Sequence, residues 1–160
     1  MWKVKLYVMR LVSHPVLCNY YVTYRCNATC SFCDIWERPS PYVTIENAAA
    51  NILSLKRLGV KVIDFTGGEP LLHRQLDKLL KEAKHQGLLT TVTSNALLYP
   101  KYAQRLRGLI DMLHFSLDSP DRDEHARSLR VAPVPSSGRS PDTRWRSSHA
   151  ISAATSGLML

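Results

Sequence analysis

Short apolar segments alternate with amphipathic segments along the middle of the chain. Stretches rich in aromatic and β-branched residues predict four strands, at residues 18–24, 60–66, 88–93 and 109–117. Apolar residues at helical spacing predict helices between them, at residues 45–58, 71–86 and 100–108. This alternation predicts an α/β fold whose parallel strands are joined by right-handed crossovers.

Residues with known capping preferences mark where these helices begin and end. Thr44 can cap the first helix and Gly59 closes it, while Gly87 ends the second and Pro100 begins the third. In parallel sheets of this kind, ligand-binding side chains collect in the loops that follow the strands. The polar residues after each strand are therefore the candidates for a functional site.

Composition places the chain among soluble globular proteins. Of the 160 residues, 45% are hydrophobic and 21% are charged, which supports a packed core and excludes disorder of the whole chain. No apolar run approaches the roughly 20 residues needed to span a bilayer. Lys3, Lys5, Arg10 and His14 interrupt the opening segment, which also lacks the small-residue cleavage site of a signal peptide. We therefore expect a cytoplasmic protein without a membrane partner.

The net charge of +8 is concentrated at one end of the chain. Residues 126–160 carry five arginines against Asp142 alone and so contribute half of the excess positive charge. An unusual basic tail explains this distribution better than a nucleic-acid surface does. We expect no nucleic-acid partner.

Three of the four cysteines lie within eight residues, in the loop after the first strand. Cys26, Cys30 and Cys33 have the spacing C-x3-C-x2-C, and a metal could gather them. A disulfide leaves one of the three unpaired and is rare in cytosolic proteins. Structural zinc needs four ligands, and neither Cys18, expected to be a core thiol, nor a nearby histidine is an obvious fourth. Three thiolates on a four-iron cluster leave one iron open, which makes a reactive site.

Two of these loops together resemble a known family. Phe32 stands just before the last cysteine of the first loop, and TGGEP follows the second strand at residues 66–70. This combination resembles the radical S-adenosylmethionine (radical SAM) enzymes, in particular the branch with the molybdopterin-precursor cyclase and peptide-modifying enzymes. The resemblance covers about residues 20–125, with four motifs in order, each after a predicted strand. It implies an incomplete parallel (β/α) barrel of about four strand–helix units, where the family ordinarily has six.

Under this resemblance the three loop cysteines would be the metal ligands of a [4Fe-4S] cluster. The residues that would bind S-adenosylmethionine are Gly67, Gly68, Glu69, Pro70, Ser94, Asn95, Ser116 and Asp118. Glu69 would accept from the amino group of the ligand. Ser116 and Asp118 would bind its ribose or carboxylate, and Ser119 stands where the family usually has glycine. No catalytic side chain is implied beyond the two cofactors.

Several of these residues also have an ordinary structural interpretation. GGEP with Pro70 near a helix start is typical of a strand-to-helix turn. Asn95 fits a polar turn, and Asp118 could cap a helix that begins at Pro120. Trp36 could shield a cluster from water or make an ordinary apolar contact.

The histidines need no catalytic role. His73 and His85 lie on charged faces of the second predicted helix and are expected to be solvated. His114 is expected to be a packed or edge residue of the fourth strand.

The function implied by the resemblance is formation of a 5′-deoxyadenosyl radical that abstracts hydrogen from an unknown substrate. The cofactors would be a [4Fe-4S] cluster and S-adenosylmethionine. The partners would be that substrate and a flavodoxin- or ferredoxin-like one-electron reductant. Three alternatives stay open: an inactive truncated fragment that binds only the cluster, a zinc-binding interaction module, and a nucleic-acid-modifying member of the same family.

We divide the chain into a lead-in at residues 1–15, a partial radical SAM domain at 16–125 and a low-complexity basic tail at 126–160. The tail has 8 serines, 5 arginines, 3 prolines and no lysine, with no helical or alternating periodicity before Ile151. Such a composition predicts disorder. The abrupt change favours an out-of-frame translation that starts near residues 126–130, which would make the chain a truncated member of the family.

Overall fold

The computed structural model describes residues 14–130, and the strands within them form one parallel sheet. The strands are β1 (Leu17–Thr23), β2 (Val62–Gly67), β3 (Leu89–Ser94) and β4 (Met112–Phe115). The α-helices are α1 (Ile45–Arg57), α2 (Leu76–His85), α3 (Tyr99–Leu106) and α4 (Arg122–Leu129). The strands lie in the order β1-β2-β3-β4, and each is parallel to its neighbours. The predicted α/β fold with about four strand–helix units is confirmed.

One face of the sheet, here called the helix face, forms the core of the protein. Its central residues Val22, Ile63, Phe65 and Val92 are at most 1% exposed. Apolar residues of α1, α2 and α3 complete the same buried cluster, among them Ile52, Leu79, Leu80 and Leu106. Burial of this apolar surface is the main source of stability for the fold.

Alternate residues of the same strands point to the opposite side, here called the open face. Asn19, Asp64, Thr91 and Met112 are register partners and form one row across the sheet. The next row toward the carboxyl ends of the strands contains Tyr21 beside Thr66, and Thr93 beside His114. The open face is therefore polar along its middle, in contrast to the helix face.

The helix boundaries follow the capping residues that the sequence contains. Thr44 Oγ1 accepts from the Asn47 amide at 3.2 Å at the start of α1. Gly59, after α1, has φ +91°, a conformation that favours glycine. α3 begins at Tyr99, one residue before the predicted Pro100. No helix within residues 14–130 is long and apolar enough to cross a membrane.

The prediction of the second helix, at residues 71–86, is wrong about where the helix begins. Pro70–Leu72 form a short 3-10 turn, and α2 starts only at Leu76. The apolar residues that suggested one continuous helix are still buried, including Leu71 and Leu79. The chain thus buries the same residues from two short elements instead of one long helix.

His73 lies at the break between these two elements and explains it. Its Nε2–H donates to the carbonyl of Val43 at 2.8 Å, and its Nδ1 accepts from the Gln75 amide at 3.3 Å. The residue is 5% exposed, so the expectation that it is solvated is wrong. His85, at the end of α2, is exposed as predicted.

β4 is shorter than the predicted stretch at residues 109–117. The side chain of Asp111 turns back to accept from the Thr90 amide at 2.7 Å, so the strand begins only at Met112. Leu109 and Ile110 pack against the core instead of pairing with β3.

α4 carries the chain past the predicted domain boundary at residue 125. Asp121 caps it by accepting from the Glu124 amide at 2.8 Å. Leu129 is buried, and its carbonyl accepts from the Thr29 amide at 3.1 Å. Residues 126–129 are thus helical although the sequence shows no helical periodicity there. Residues 1–13 of the lead-in and 131–160 of the tail lie outside the described residues.

Candidate functional site

The three clustered cysteines lie in the loop that leaves the carboxyl end of β1. Cys26, Cys30 and Cys33 are free thiols, each partly exposed. Trp36 closes the loop by donating its indole N–H to the carbonyl of Cys33 at 2.8 Å. The bond between Thr29 and α4 holds the middle of the loop. One loop thus carries three thiols beside the carboxyl edge of the sheet.

Burial raises the pKa of the Cys26 thiol, and the nearby Glu69 and Cys33 raise it further. Burial also raises the pKa of Cys30, with contributions from Cys26 and Asp118. A thiol must lose its proton before it binds a metal. Loading this loop with metal would therefore release protons.

The donor set of this loop fits an iron–sulfur cluster. Three thiolates from one loop can ligate three of the four irons of such a cluster, and the fourth iron is then open to another ligand. Each of the three thiolates would ligate a different iron, so the three sulfurs need not converge on one point. Within residues 14–130, no three His, Cys, Asp or Glu side chains are placed to hold a single metal ion.

Two glycines at the end of β2 let the strand approach the cysteine loop closely. The Gly68 amide donates to the carbonyl of Thr23 at 2.9 Å, and the Glu69 amide donates to that of Arg25 at 2.8 Å. A Cβ on Gly68 would overlap the carbonyl of Arg25, and one on Gly67, whose φ is +130°, would overlap that of Thr23. The space left by the missing side chains of these glycines is therefore filled by the backbone at Thr23 and Arg25.

The carboxylate of Glu69 joins the loops after β2 and β3. It is fully buried and accepts from the Leu71 amide at 2.9 Å, the Ser94 hydroxyl at 3.0 Å and the Asn95 amide at 2.9 Å. Burial raises the pKa of Glu69, and these hydrogen bonds oppose that rise. Pro70, next in the chain, is also buried in the turn. The turn therefore fixes the positions of both neighbouring loops.

Asn95 connects this network to the cysteine loop. Its side-chain amide donates to Asn27 Oδ1 at 2.8 Å and lies 3.9 Å from the sulfur of Cys26. Its backbone amide is held by Glu69 at the same time. Its Oδ1 also accepts from the Leu97 amide at 3.1 Å, so Asn95 makes the polar turn and reaches the neighbouring loop as well. Asn27 is a member of the site that the sequence analysis missed.

The loop after β4 completes the edge. The Ser116 amide donates to the carbonyl of Ser94 at 2.9 Å, and the side chain of Ser116 is exposed. Asp118 accepts from the Ser128 hydroxyl at 2.8 Å and lies 3.8 Å from His125 Nδ1. The interpretation of Asp118 as a helix cap is wrong, because Asp121 occupies that position.

The sequence analysis also missed a polar cluster on the open face. Asp64 accepts from the hydroxyls of Thr91 at 2.5 Å and Thr93 at 2.9 Å. His114, on the edge strand β4 as expected, lies 3.3 Å from Thr93 Oγ1. The signal available in the sequence was a single acidic residue inside the otherwise apolar run VIDF.

Comparison with known proteins places this arrangement in a family. The model of the Radical SAM superfamily matches residues 20–148. The chain is 34% identical over 115 residues to the S-adenosylmethionine-dependent nucleotide dehydratase RSAD2 of Oncorhynchus mykiss, covering 68% of this chain and 33% of that protein. It is 34% identical over 104 residues to a probable GTP 3',8-cyclase of Methanocella arvoryzae, covering 64% and 34%. The chain spans about a third of the length of these relatives.

Solved structures show the same fold. Streptococcus suis SuiB bound to S-adenosylmethionine superposes with a TM-score of 0.67 at 24% identity, over 81% of this chain and 31% of that one. Methylornithine synthase (PylB) superposes with a TM-score of 0.60 at 22% identity, over 90% and 42%. These likenesses show the partial barrel, and the family match covers the cysteine, glycine and serine loops at its carboxyl edge. The chain belongs to the radical SAM superfamily.

Proposed function

We propose that the chain binds a [4Fe-4S] cluster through Cys26, Cys30 and Cys33, and S-adenosylmethionine at the iron that these thiols leave open. The observation that carries the proposal is the loop of three free thiols beside the buried Glu69–Asn95 network. Members of this family use both cofactors. When bound, the reduced cluster and S-adenosylmethionine supply a 5′-deoxyadenosyl radical for hydrogen abstraction.

The residues of β2 and its loop would position the ligand. Gly67 and Gly68 hold this loop against the cysteine loop, and Pro70 fixes its turn. A carboxylate offers about four acceptor positions, and three donors occupy Glu69, which leaves one for the ligand's ammonium group. Glu69 is thus proposed to bind the amino group while holding the next loop in place.

The loops after β3 and β4 would bind the rest of the ligand. Ser94 and Asn95 are fixed by Glu69, and Asn95 also reaches the sulfur of Cys26. Ser116 has an exposed hydroxyl next to Ser94. Asp118 keeps acceptor capacity beside its bond from the Ser128 hydroxyl. These two side chains are proposed to bind the ribose or the carboxylate of S-adenosylmethionine.

Turnover by this chain needs a flavodoxin- or ferredoxin-like electron donor and an organic substrate, which we propose as its partners. Two relatives are named for action on nucleotides, and SuiB was solved bound to the precursor peptide SuiA. The described residues supply four strand–helix units, and the relatives are about three times as long as the matched region. A chain that binds the cluster without turnover is the second candidate.

Anaerobic reconstitution with iron and sulfide tests the metal ligands. Cys30→Ala should abolish the brown absorption and the electron paramagnetic signal of the reduced cluster, because one thiolate is lost. Cys18→Ala is the matched control, since Cys18 lies on β1 away from the loop, and it should keep both signals. Loss of the cluster in Cys18→Ala with retention in Cys30→Ala would show that the ligands are assigned wrongly.

Binding of S-adenosylmethionine to the reconstituted protein tests the role of Glu69. Glu69→Gln should keep the cluster and weaken binding by roughly 1–3 kcal/mol, because the ammonium group loses a charged acceptor. Glu46→Gln, on the exposed surface of α1, is the control. Undiminished ligand-induced change of the cluster spectrum in Glu69→Gln would contradict the assignment. Release of 5′-deoxyadenosine from the wild type would separate an active enzyme from a cluster-binding chain.

A further inference from the structure

The open face carries three hydrogen-bonded side chains, Asp64, Thr93 and His114, that the proposed cofactor site does not use. Asp64 accepts from Thr93 Oγ1 at 2.9 Å, and Thr93 Oγ1 lies 3.3 Å from Nδ1 of His114. The same His114 nitrogen is 4.0 Å from Asp64 Oδ1, which is too long for a direct hydrogen bond. The side chain of Asp64 is 10% exposed and that of His114 is 48% exposed. One hydroxyl thus joins a buried carboxylate to an exposed imidazole.

The direction of these hydrogen bonds follows from the single proton of the Thr93 hydroxyl. An ionised carboxylate is a stronger acceptor than a neutral ring nitrogen, so the hydroxyl donates to Asp64. Its oxygen then accepts from Nδ1–H of His114. A neutral imidazole with Nδ1 protonated has an unprotonated Nε2, which is an acceptor.

The position of His114 places this acceptor next to the proposed cofactor site. His114 is the last but one residue of β4 and comes two residues before Ser116 of the following loop. Asp64 is likewise two residues before Thr66, the last residue before the glycines. Asp64, Thr93 and His114 therefore lie just inside the carboxyl edge of the sheet. A substrate of the proposed reaction would approach the cofactors from this side.

We propose that Asp64 and Thr93 hold His114 in its Nδ1-protonated form, so that Nε2 accepts a hydrogen bond from a hydroxyl or ammonium group of the substrate. Binding of a substrate at His114 rests on the proposed function, whereas the protonation state of His114 does not. The negative charge of Asp64 favours an ammonium group over a carboxylate or phosphate at this place. His114 is thereby a substrate-binding residue, and Asp64 and Thr93 are positioning residues.

Nitrogen-15 NMR of the full chain, without added iron, tests the state of His114. At about pH 8 we expect a protonated Nδ1 and an unprotonated Nε2. Thr93→Val should abolish this preference, and Thr93→Ser should restore it. A signal from protonated Nε2 in the wild type would overturn the proposal.

Thr91→Val is the matched control for this experiment. Thr91 and Thr93 both donate to the carboxylate of Asp64, but only Thr93 reaches His114. Thr91→Val should therefore leave the His114 signals where they are. An equal change in both valine variants would show that Thr93 is not the link.

Two small ions of opposite charge test the class of ligand. Methylammonium should shift the Nε2 signal of His114 at millimolar concentration, acetate should shift it several-fold less, and Asp64→Asn should remove the difference. A shift by acetate as large as that by methylammonium, or no shift by methylammonium, would overturn the ligand assignment. Because none of these measurements uses iron or S-adenosylmethionine, their failure is distinguishable from failure of the proposed function.

Discussion

The two faces of the sheet are built from alternate residues of the same strands and have different chemistry. On β2, Ile63 and Phe65 are completely buried among apolar side chains of the helix face. Asp64, between them, points to the open face and is surrounded by hydroxyls. A side chain therefore meets a different environment at each successive position of one strand.

This difference separates the residues that hold the fold from those available for chemistry. The helix face contains no ionisable side chain among its central residues, while the open face and the carboxyl edge carry carboxylates, hydroxyls, thiols and an imidazole. In barrels of parallel strands the carboxyl edge is the usual place for catalysis. The contrast predicts that substitutions on the helix face lower stability and that those on the open face change binding.

The largest expected effect is truncation of a leucine on the helix side. Leu79→Ala in α2 removes a completely buried side chain, and we expect it to lower the free energy of unfolding by about 2–5 kcal/mol. Leu89→Ala is the same change on the open face, where Leu89 is 55% exposed, and should cost under about 0.5 kcal/mol. Urea unfolding of both variants measures the difference. Equal losses would mean that the open face is covered as tightly as the helix face.

A carboxylate at the opposite, amino end of the strands should give an intermediate effect. Asp111 accepts from the amide and hydroxyl of Thr90 and pairs with Lys84. Asp111→Ala leaves the buried Thr90 amide without its acceptor, and we expect a loss of about 1–2 kcal/mol. Thermal or urea unfolding at neutral pH measures it.

The same residue predicts a dependence on pH. Partial burial raises the pKa of Asp111, but the charge of Lys84 and the hydrogen bonds from Lys84 and Thr90 lower it more. The pKa of Asp111 is therefore below its ordinary value. A lowered pKa stabilises the fold above the unfolded value of about 4, and this stabilisation is lost as the pH falls through the folded pKa. The difference in stability between wild type and Asp111→Ala should therefore shrink below about pH 4. A constant difference down to strongly acidic pH would contradict this account.

The sequence predicts the elements and the edge on which the site lies. The helix α1 begins after Thr44 and ends before Gly59, as expected, because capping depends only on nearby residues. The order of strands places the loops containing Cys26, Glu69 and Asn95 at one edge, since the carboxyl ends of parallel strands share it. Local patterns and the parallel topology together were sufficient to predict the helix ends and the edge of the sheet that carries the site.

Contacts between distant segments could not be predicted in this way. Leu71, Leu76 and Leu79 fit one helix as well as a turn followed by a helix, and the bond from His73 to Val43 decides between them. The pairing of Asp64 with its threonines depends on the register of β2 against β3, which neither strand encodes alone.

Helix caps show the same limit at short range. Asp118 and Asp121 are both acidic residues before one helix, and the sequence does not decide which one caps it. The structure assigns the cap to Asp121 because its carboxylate accepts from the Glu124 amide. Asp118 is thereby left facing Ser128 and His125 of α4.

Among the polar substitutions, the smallest expected change in stability is that of Asp64→Asn on the open face. The amide keeps one oxygen acceptor, and a threonine hydroxyl can rotate to accept from its NH2 group, so both Thr91 and Thr93 retain partners. We expect a loss under about 1 kcal/mol, within the net value of one hydrogen bond. Urea unfolding beside Asp111→Ala measures it under one condition. A loss larger than that of Asp111→Ala would make Asp64 a structural residue and would remove the contrast between the two faces.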